Sequence, residues 1–374
     1  MKKLLLVVSA LVLTFALAAC GGAETYELAM ITDKGDIDDK SFNQGTWEGI
    51  VEYAEENDIS HEYYRPQEVS HDSYLDTIEL AVEGGAEVVV TPGFLFETSI
   101  HAAQQEYPDV TFIILDGSPH NVLDWGTMET YDGEDPDFTI GENTLSIFFN
   151  EHESGFLAGY AAVHEGYTNL GFTGGLAVPA VVRFGVGYIA GAYYAANELE
   201  TDIVFGDDQY YYFGDFAPSD AFKNIALTWY QGGTEVIFSA AGGAGQSVMA
   251  AAADSDAVMI GVDVDQSADS PTVLTSAMKE LGTAVQQALD AYYNDSFEGG
   301  VNIYKGVEND GVGLPMDTSR FDNFTLAQYN TIYDMLVDGD VVVPSDYEGL
   351  ASFLDALSMT DTSNAPTEGV VSPQ

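Results

Sequence analysis

Short, almost wholly apolar runs such as Val88-Val89-Val90 and Phe112-Ile113-Ile114-Leu115 alternate along this chain with longer stretches whose apolar residues return every three or four positions. The first kind reads as strands buried on both faces, the second as helices with one apolar side. Strands are predicted over 26–32, 60–65, 87–91, 110–116, 169–173, 203–212, 235–240, 257–262 and 272–276. Helices are predicted over 41–56, 71–83, 98–106, 153–164, 181–199, 221–231 and 277–294. This rhythm is that of an α/β protein with parallel sheets, and 374 residues, 46% of them hydrophobic, suit two lobes rather than one. Ligands of open parallel sheets sit beyond the carboxyl ends of the strands, so binding residues are expected there.

Lys2 and Lys3 precede an apolar run from Leu4 to Ala16, which Leu17-Ala18-Ala19-Cys20 closes. The run falls short of the ~20 residues that cross a bilayer and reads as a secretory signal. Its closing tetrapeptide resembles a bacterial lipobox, which implies that 1–19 are removed and that lipid on Cys20 ties a linker, 20–23, to the outer side of the cell membrane. Cys20 is the one cysteine, so the exported chain has no internal disulfide and relies on its core. No later segment reaches the ~18 uninterrupted apolar residues of a membrane helix.

Charge narrows the partners. Sixty-one acids stand against ten basic residues, a formal net charge of -51, and such a field repels nucleic acid and anionic lipid surfaces. The acids are spread among apolar periods rather than gathered in a tail, as in salt-adapted proteins of halophiles; an acidic habitat is the other explanation. In such a chain a cation kept near the core is informative.

The first predicted strand runs into Asp33-Lys34-Gly35-Asp36-Ile37-Asp38-Asp39-Lys40-Ser41-Phe42-Asn43, a glycine-bearing acidic loop opening a helix. Taken alone, this loop also fits a solvated turn with Phe42 tucked into the core. The pattern resembles the basic membrane protein family, the lipid-anchored substrate-binding proteins of ABC importers typified by purine nucleoside receptors. Further matches follow in order: 112–117, 153–159, 171–175, 214–216, 240–245, 260–266 and 274–279, so that the resemblance covers 24 to about 345. It implies a two-lobed periplasmic-binding-protein (type I) fold with a three-crossing hinge, a nucleoside ligand, an ABC permease and ATPase as partners, a monomer, and neither cofactor nor catalysis.

It also implies a site. Phe42 and Phe216 would sandwich the base; Asp33, Asn43 and Asp116 would face the ligand from the first lobe, Asp263 and the Gly242-Gly243 backbone from the second. Lys279 would reach in among these acids, although a position on the first turn of a helix 277–294 would instead put it at the surface. Phe213 stands three residues before Phe216, so alignment with Gly214 rather than spacing favours Phe216 as the stacking ring. A binder of sugars or a signalling furanose is the nearest alternative. A nucleoside hydrolase is the alternative of another class, but Ile31 and Lys34 occupy positions where its calcium loop holds an aspartate and a proline. The six histidines, His61, His71, His101, His120, His152 and His164, show no ligand spacing and read as surface or capping residues.

Acidic, glycine-rich segments at 132–143 and 294–300 have the composition of lobe crossings. They set the expected lobes at 24–143 plus 267–299 and 144–266 plus 300–358, with 359–374 as a disordered tail.

Overall fold

The computed structural model describes residues 25–357, 361–367 and 370–371; Cys20, the signal and the linker lie outside them. The first lobe runs β1 (Leu28–Ile31), α1 (Phe42–Glu56), β2 (His61–Tyr64), α2 (His71–Glu83), β3 (Val88–Pro92), α3 (Glu97–Glu106), β4 (Thr111–Leu115), a small ribbon of β5 (Val122–Asp124) and β6 (Glu129–Thr130), then β7 (Thr144–Phe149). The second follows as α4 (Glu151–Glu165), β8 (Asn169–Gly174), α5 (Pro179–Leu199), β9 (Val204–Tyr212), α6 (Asp220–Gln231), β10 (Val236–Ala240), α7 (Gly245–Asp254), β11 (Val258–Asp263) and β12 (Val273–Lys279). The chain returns through α8 (Leu281–Tyr293) and β13 (Val301–Lys305). It finishes with β14 (Val312–Gly313), α9 (Leu326–Val337), α10 (Tyr347–Asp355) and β15 (Val370–Val371).

Six strands form the first sheet in the order β13-β7-β4-β3-β1-β2, all parallel. Seven form the second, β14-β12-β11-β10-β8-β9-β15, parallel except where β14 runs against β12. The wholly buried runs of β1, β3 and β4 have helices on both faces, which is why they carry no polar alternation. All nine predicted strands and all seven predicted helices form, with small shifts at their ends.

The lobe boundaries differ from the expected ones. β7 and β13 belong to the first sheet and β12 to the second, so the chain crosses near Asn150, Glu280 and Gly306. The acidic segments 132–143 and 294–300 do not cross; each leads into one more strand of the first sheet. The helix expected over 277–294 begins only at Leu281, because Ala277, Met278 and Lys279 continue β12 against β11 and β14. Part of the expected disordered tail pairs with the second sheet, Val370–Val371 lying parallel to Tyr211–Tyr212. α9 and α10 form beyond the predicted helices, with Thr325 and Gln328 in a capping box and Asp346 capping α10.

Within the second lobe one helix pair packs closely beside the first crossing. α4 and α5 approach until backbones touch: a Cβ on Gly155 would meet Phe184 O at 2.3 Å, and one on Gly187 would meet His152 O at 2.0 Å. Glycine is required there, and the close approach brings the first turns of the two helices together beside the first crossing.

Candidate functional site

The carboxyl ends of both sheets face each other across a cleft of about 770 Å³. All nine residues expected to bind ligand line it: Asp33, Phe42, Asn43 and Asp116 from the first lobe, Phe216, Gly242, Gly243, Asp263 and Lys279 from the second. Asp116 follows β4 and Asp263 ends β11, each with positive φ (54° and 65°), a conformation Asp tolerates better than most side chains. The two lobes thus offer an aspartate in the same backbone conformation at the end of a buried strand.

Lys279 is 3% exposed and ends β12 immediately before a crossing. Its ammonium bonds Asp116 of the other lobe and lies 3.0 Å from Glu151 and 3.9 Å from Asp263. It also sits 4.8 Å from the centre of the Phe42 ring, within the range of a cation–π attraction. Glu151, just after the first crossing, accepts a hydrogen bond from Arg183 Nε at 2.5 Å. Two cations therefore hold three carboxylates at the hinge end of the cleft.

Burial raises the Asp116, Asp263 and Asp33 carboxyls above the usual carboxylate range, against the pull of Lys279 on the first two and of hydrogen bonds on Asp33. In Glu151 burial acts the same way, but Lys279 and Arg183 outweigh it and hold the group low. Burial lowers the Lys279 ammonium, yet its acidic neighbours leave it above its ordinary value. One oxygen of Asp116 takes Lys279; the other, Oδ1, is buried with no hydrogen-bond partner among the described residues.

The loop before α1 is organised by its own acids. Asp39 accepts from the backbone N–H of Ser41, Asn43 and Gln44 at 2.9, 3.1 and 3.1 Å, which caps the helix. The Ser41 hydroxyl is thereby free to donate across the cleft to Asp263. Asn43 is tied into this loop: its Nδ2 donates to both Asp33 and Asp39 at 2.9 Å, and its Oδ1 accepts from Asp33 N. Both ends of its amide thus help to shape the loop, and Asn43 also lines the cleft.

Packing places the two phenylalanines differently. Phe213 is 4% exposed in the second-lobe core and stacks on Phe222 at 4.2 Å. Phe216 lies at the cleft, with Gly175 so close that a Cβ there would enter its ring at 2.2 Å.

Towards the mouth the lobes meet through two partly exposed ion pairs and one buried amide. Lys34 pairs with Asp215 at 2.8 Å and Lys40 with Asp269 at 3.4 Å. Gln266 donates to Lys40 O at 2.7 Å.

Arg183, Glu151 and Trp125 were missed in the sequence. With Lys2 and Lys3 set aside, eight of the ten basic residues remain, and Lys34, Arg65, Arg183 and Lys279 line the cleft. The scarcity of cations that singled out Lys279 applies equally to Arg183. The histidine expectation fails at two positions: His101 and His120 are buried and bond Asp137 at 3.2 Å and Glu97 at 3.0 Å. No group of three or more His, Cys, Asp or Glu among the described residues is arranged to hold a metal ion.

Known proteins match this arrangement over most of its length. Residues 26–337 match the family described as ABC transporter substrate-binding protein PnrA-like. The CD4+ T-cell-stimulating antigen of Listeria monocytogenes is 30% identical, covering 86% of this chain and 89% of that one. The ABC transporter nucleoside-binding protein BmpA of Lactococcus lactis is 28% identical, covering 92% and 100%. A solved ABC transporter solute-binding protein from Aeropyrum pernix shares the fold, with a TM-score of 0.69 at 20% identity over 92% of this chain and 100% of that one. Two sheets joined by three crossings, a lined cleft between them and a match spanning both lobes together make this chain a member of the basic membrane protein (PnrA-like) family of ABC transporter substrate-binding proteins, binders rather than enzymes.

Proposed function

We propose that this protein captures a purine nucleoside between its lobes and delivers it to the permease and ATPase of an ABC importer. The observation that carries the reading is the pairing of two aromatic rings, Phe42 and Phe216, with a buried acceptor, Asp116 Oδ1, in one cleft. A base stacks on aromatic faces with about 1 to 3 kcal/mol per base and little regard to its identity. A carboxylate oxygen with no other donor suits a ribose hydroxyl, which supplies one. BmpA of Lactococcus lactis, named for nucleoside binding, matches over the whole of its own length.

The same reading keeps the protein outside the cytoplasmic membrane, as a monomer tethered by lipid on Cys20, with its acid-rich surface suited to saline surroundings. No helix among the described residues is long and apolar enough to cross a membrane. Calorimetric titration with inosine, and with ribose in parallel, tests the ligand: saturable binding of inosine far tighter than of ribose is expected. Tighter binding of free sugar would point to the sugar-binding alternative.

A further inference from the structure

Adjacent parallel strands β4 and β7 are joined without a helix. The connection instead carries the β5–β6 ribbon, and its turn presents Trp125, 60% exposed, at the rim of the cleft. Resting on the nucleoside reading above, we propose that Trp125 is a third aromatic contact for the ligand, covering the side that Phe42 and Phe216 leave open.

The ribbon is built to hold that indole in place. At its base Asn121 N donates to Asp137 O at 3.1 Å, Asp137 N donates to Asn121 Oδ1 at 2.8 Å, and Tyr131 N donates to Asn121 O at 3.0 Å. Buried His101 bonds the Tyr131 hydroxyl at 2.9 Å and Asp137 at 3.2 Å. At the tip, Asp124 Oδ1 accepts from Gly126 N and Thr127 N at 2.7 and 3.0 Å, which fixes the turn around Trp125.

The indole is wedged from two sides. It stands edge-on to His120 at 4.9 Å and lies nearly parallel to Phe138 at 5.9 Å. His120 is itself locked: Nδ1 accepts from Val122 N at 3.2 Å, so Nε2 carries the proton it donates to Glu97 at 3.0 Å. Glu97 lines the cleft beside Trp125, so the wedge and the cleft share a wall.

Trp125 and the Phe138 ring it stacks on are both half exposed or more, so an apolar face rather than a lone side chain stands open at the rim. A ligand held between Phe42 and Phe216 would cover the indole, since all three rings line one cleft. Trp125 would then favour ligands that carry a flat base over free sugars and would slow their release, without distinguishing one base from another.

Of the three tryptophans, Trp47 and Trp229 can be replaced by phenylalanine to leave Trp125 as the sole indole. In that protein inosine should shift the emission to the blue and shield it from iodide quenching. Trp125→Ala should weaken inosine binding about tenfold, chiefly through faster release in stopped-flow measurement, with an unchanged melting temperature. Trp125→Phe should keep most of the affinity. If inosine binds the parent calorimetrically while the sole-indole emission stays unchanged and Trp125→Ala binds equally well, the inference is overturned and the nucleoside reading stands. If the parent binds no nucleoside, both fall.

Discussion

The hinge end and the mouth of the cleft both join the lobes through charge, yet they do so in different surroundings. At the hinge end Lys279 is buried among Asp116, Glu151 and Asp263; at the mouth Lys34–Asp215 and Lys40–Asp269 are partly open to solvent. A buried charge stripped of its partner costs several kcal/mol, whereas an exposed pair is worth little and is screened by salt. The hinge end should therefore govern stability and respond to pH, and the mouth should tune closure and respond to salt.

The largest effect is expected at Lys279. Lys279→Met leaves three carboxylates buried against Arg183 alone, and stability in denaturant should fall by about 3 to 5 kcal/mol. Part of that loss should return in mild acid, where the carboxyls take up protons. Unchanged stability would return Lys279 to the status of a surface residue and remove the contrast between the two ends.

Next comes His152, beside Glu151 and Arg183. Burial lowers its ring from 6.5 to about 4. A depressed folded value means that the neutral ring contributes its full stability above pH 6.5, and that this is lost as pH falls towards about 4. Its contribution is at most about 3.5 kcal/mol, from about 1.4 kcal/mol for each pH step over about 2.5 steps. The raised Asp33, Asp116 and Asp263 act oppositely: their contribution is greatest at low pH and disappears as pH rises through their folded values. Melts of His152→Gln against the parent between pH 7 and 4 isolate the histidine, and the variant should lose less stability on acidification. Parallel curves would mean that the ring takes up its proton in the fold as readily as in the unfolded chain.

Phe42→Ala and Phe216→Ala should each weaken inosine binding by about 1 to 3 kcal/mol while leaving the melt intact. The smallest effect belongs to the mouth. A double-mutant cycle with Lys34→Ala and Asp215→Ala should give a coupling below about 1 kcal/mol that vanishes in 1 M NaCl, where the screening length is about 3 Å. A coupling above that of the buried network would invert the comparison.

The same contrast explains what could be read from the sequence. Strands such as Thr111–Leu115 announce themselves because burial on both faces leaves no polar alternation, and the cleft residues lie at the ends of such strands, where periodicity stops. Lys279 stood out because cations are scarce. The crossings did not stand out: they are single residues near Asn150, Glu280 and Gly306 with no shared composition, whereas acidic loops that merely precede β7 and β13 looked like linkers. The bonds from Asn43 to Asp33 and Asp39 were not legible either, being a matter of loop geometry rather than residue type. Trp125 carries no periodic signal because it sits on a ribbon where a crossover helix is the usual connection.

The central claim is that the rings and the buried carboxylates together grip an intact nucleoside. Purified protein can be incubated with an equimolar mixture of nucleosides, free bases, ribose and arabinose, and then analysed by native mass spectrometry. Retention of an unaltered purine nucleoside by the parent, and its loss from Phe42→Ala and Phe216→Ala, is the result expected. Retention of a free sugar alone, or conversion of nucleoside into base and ribose, would contradict it.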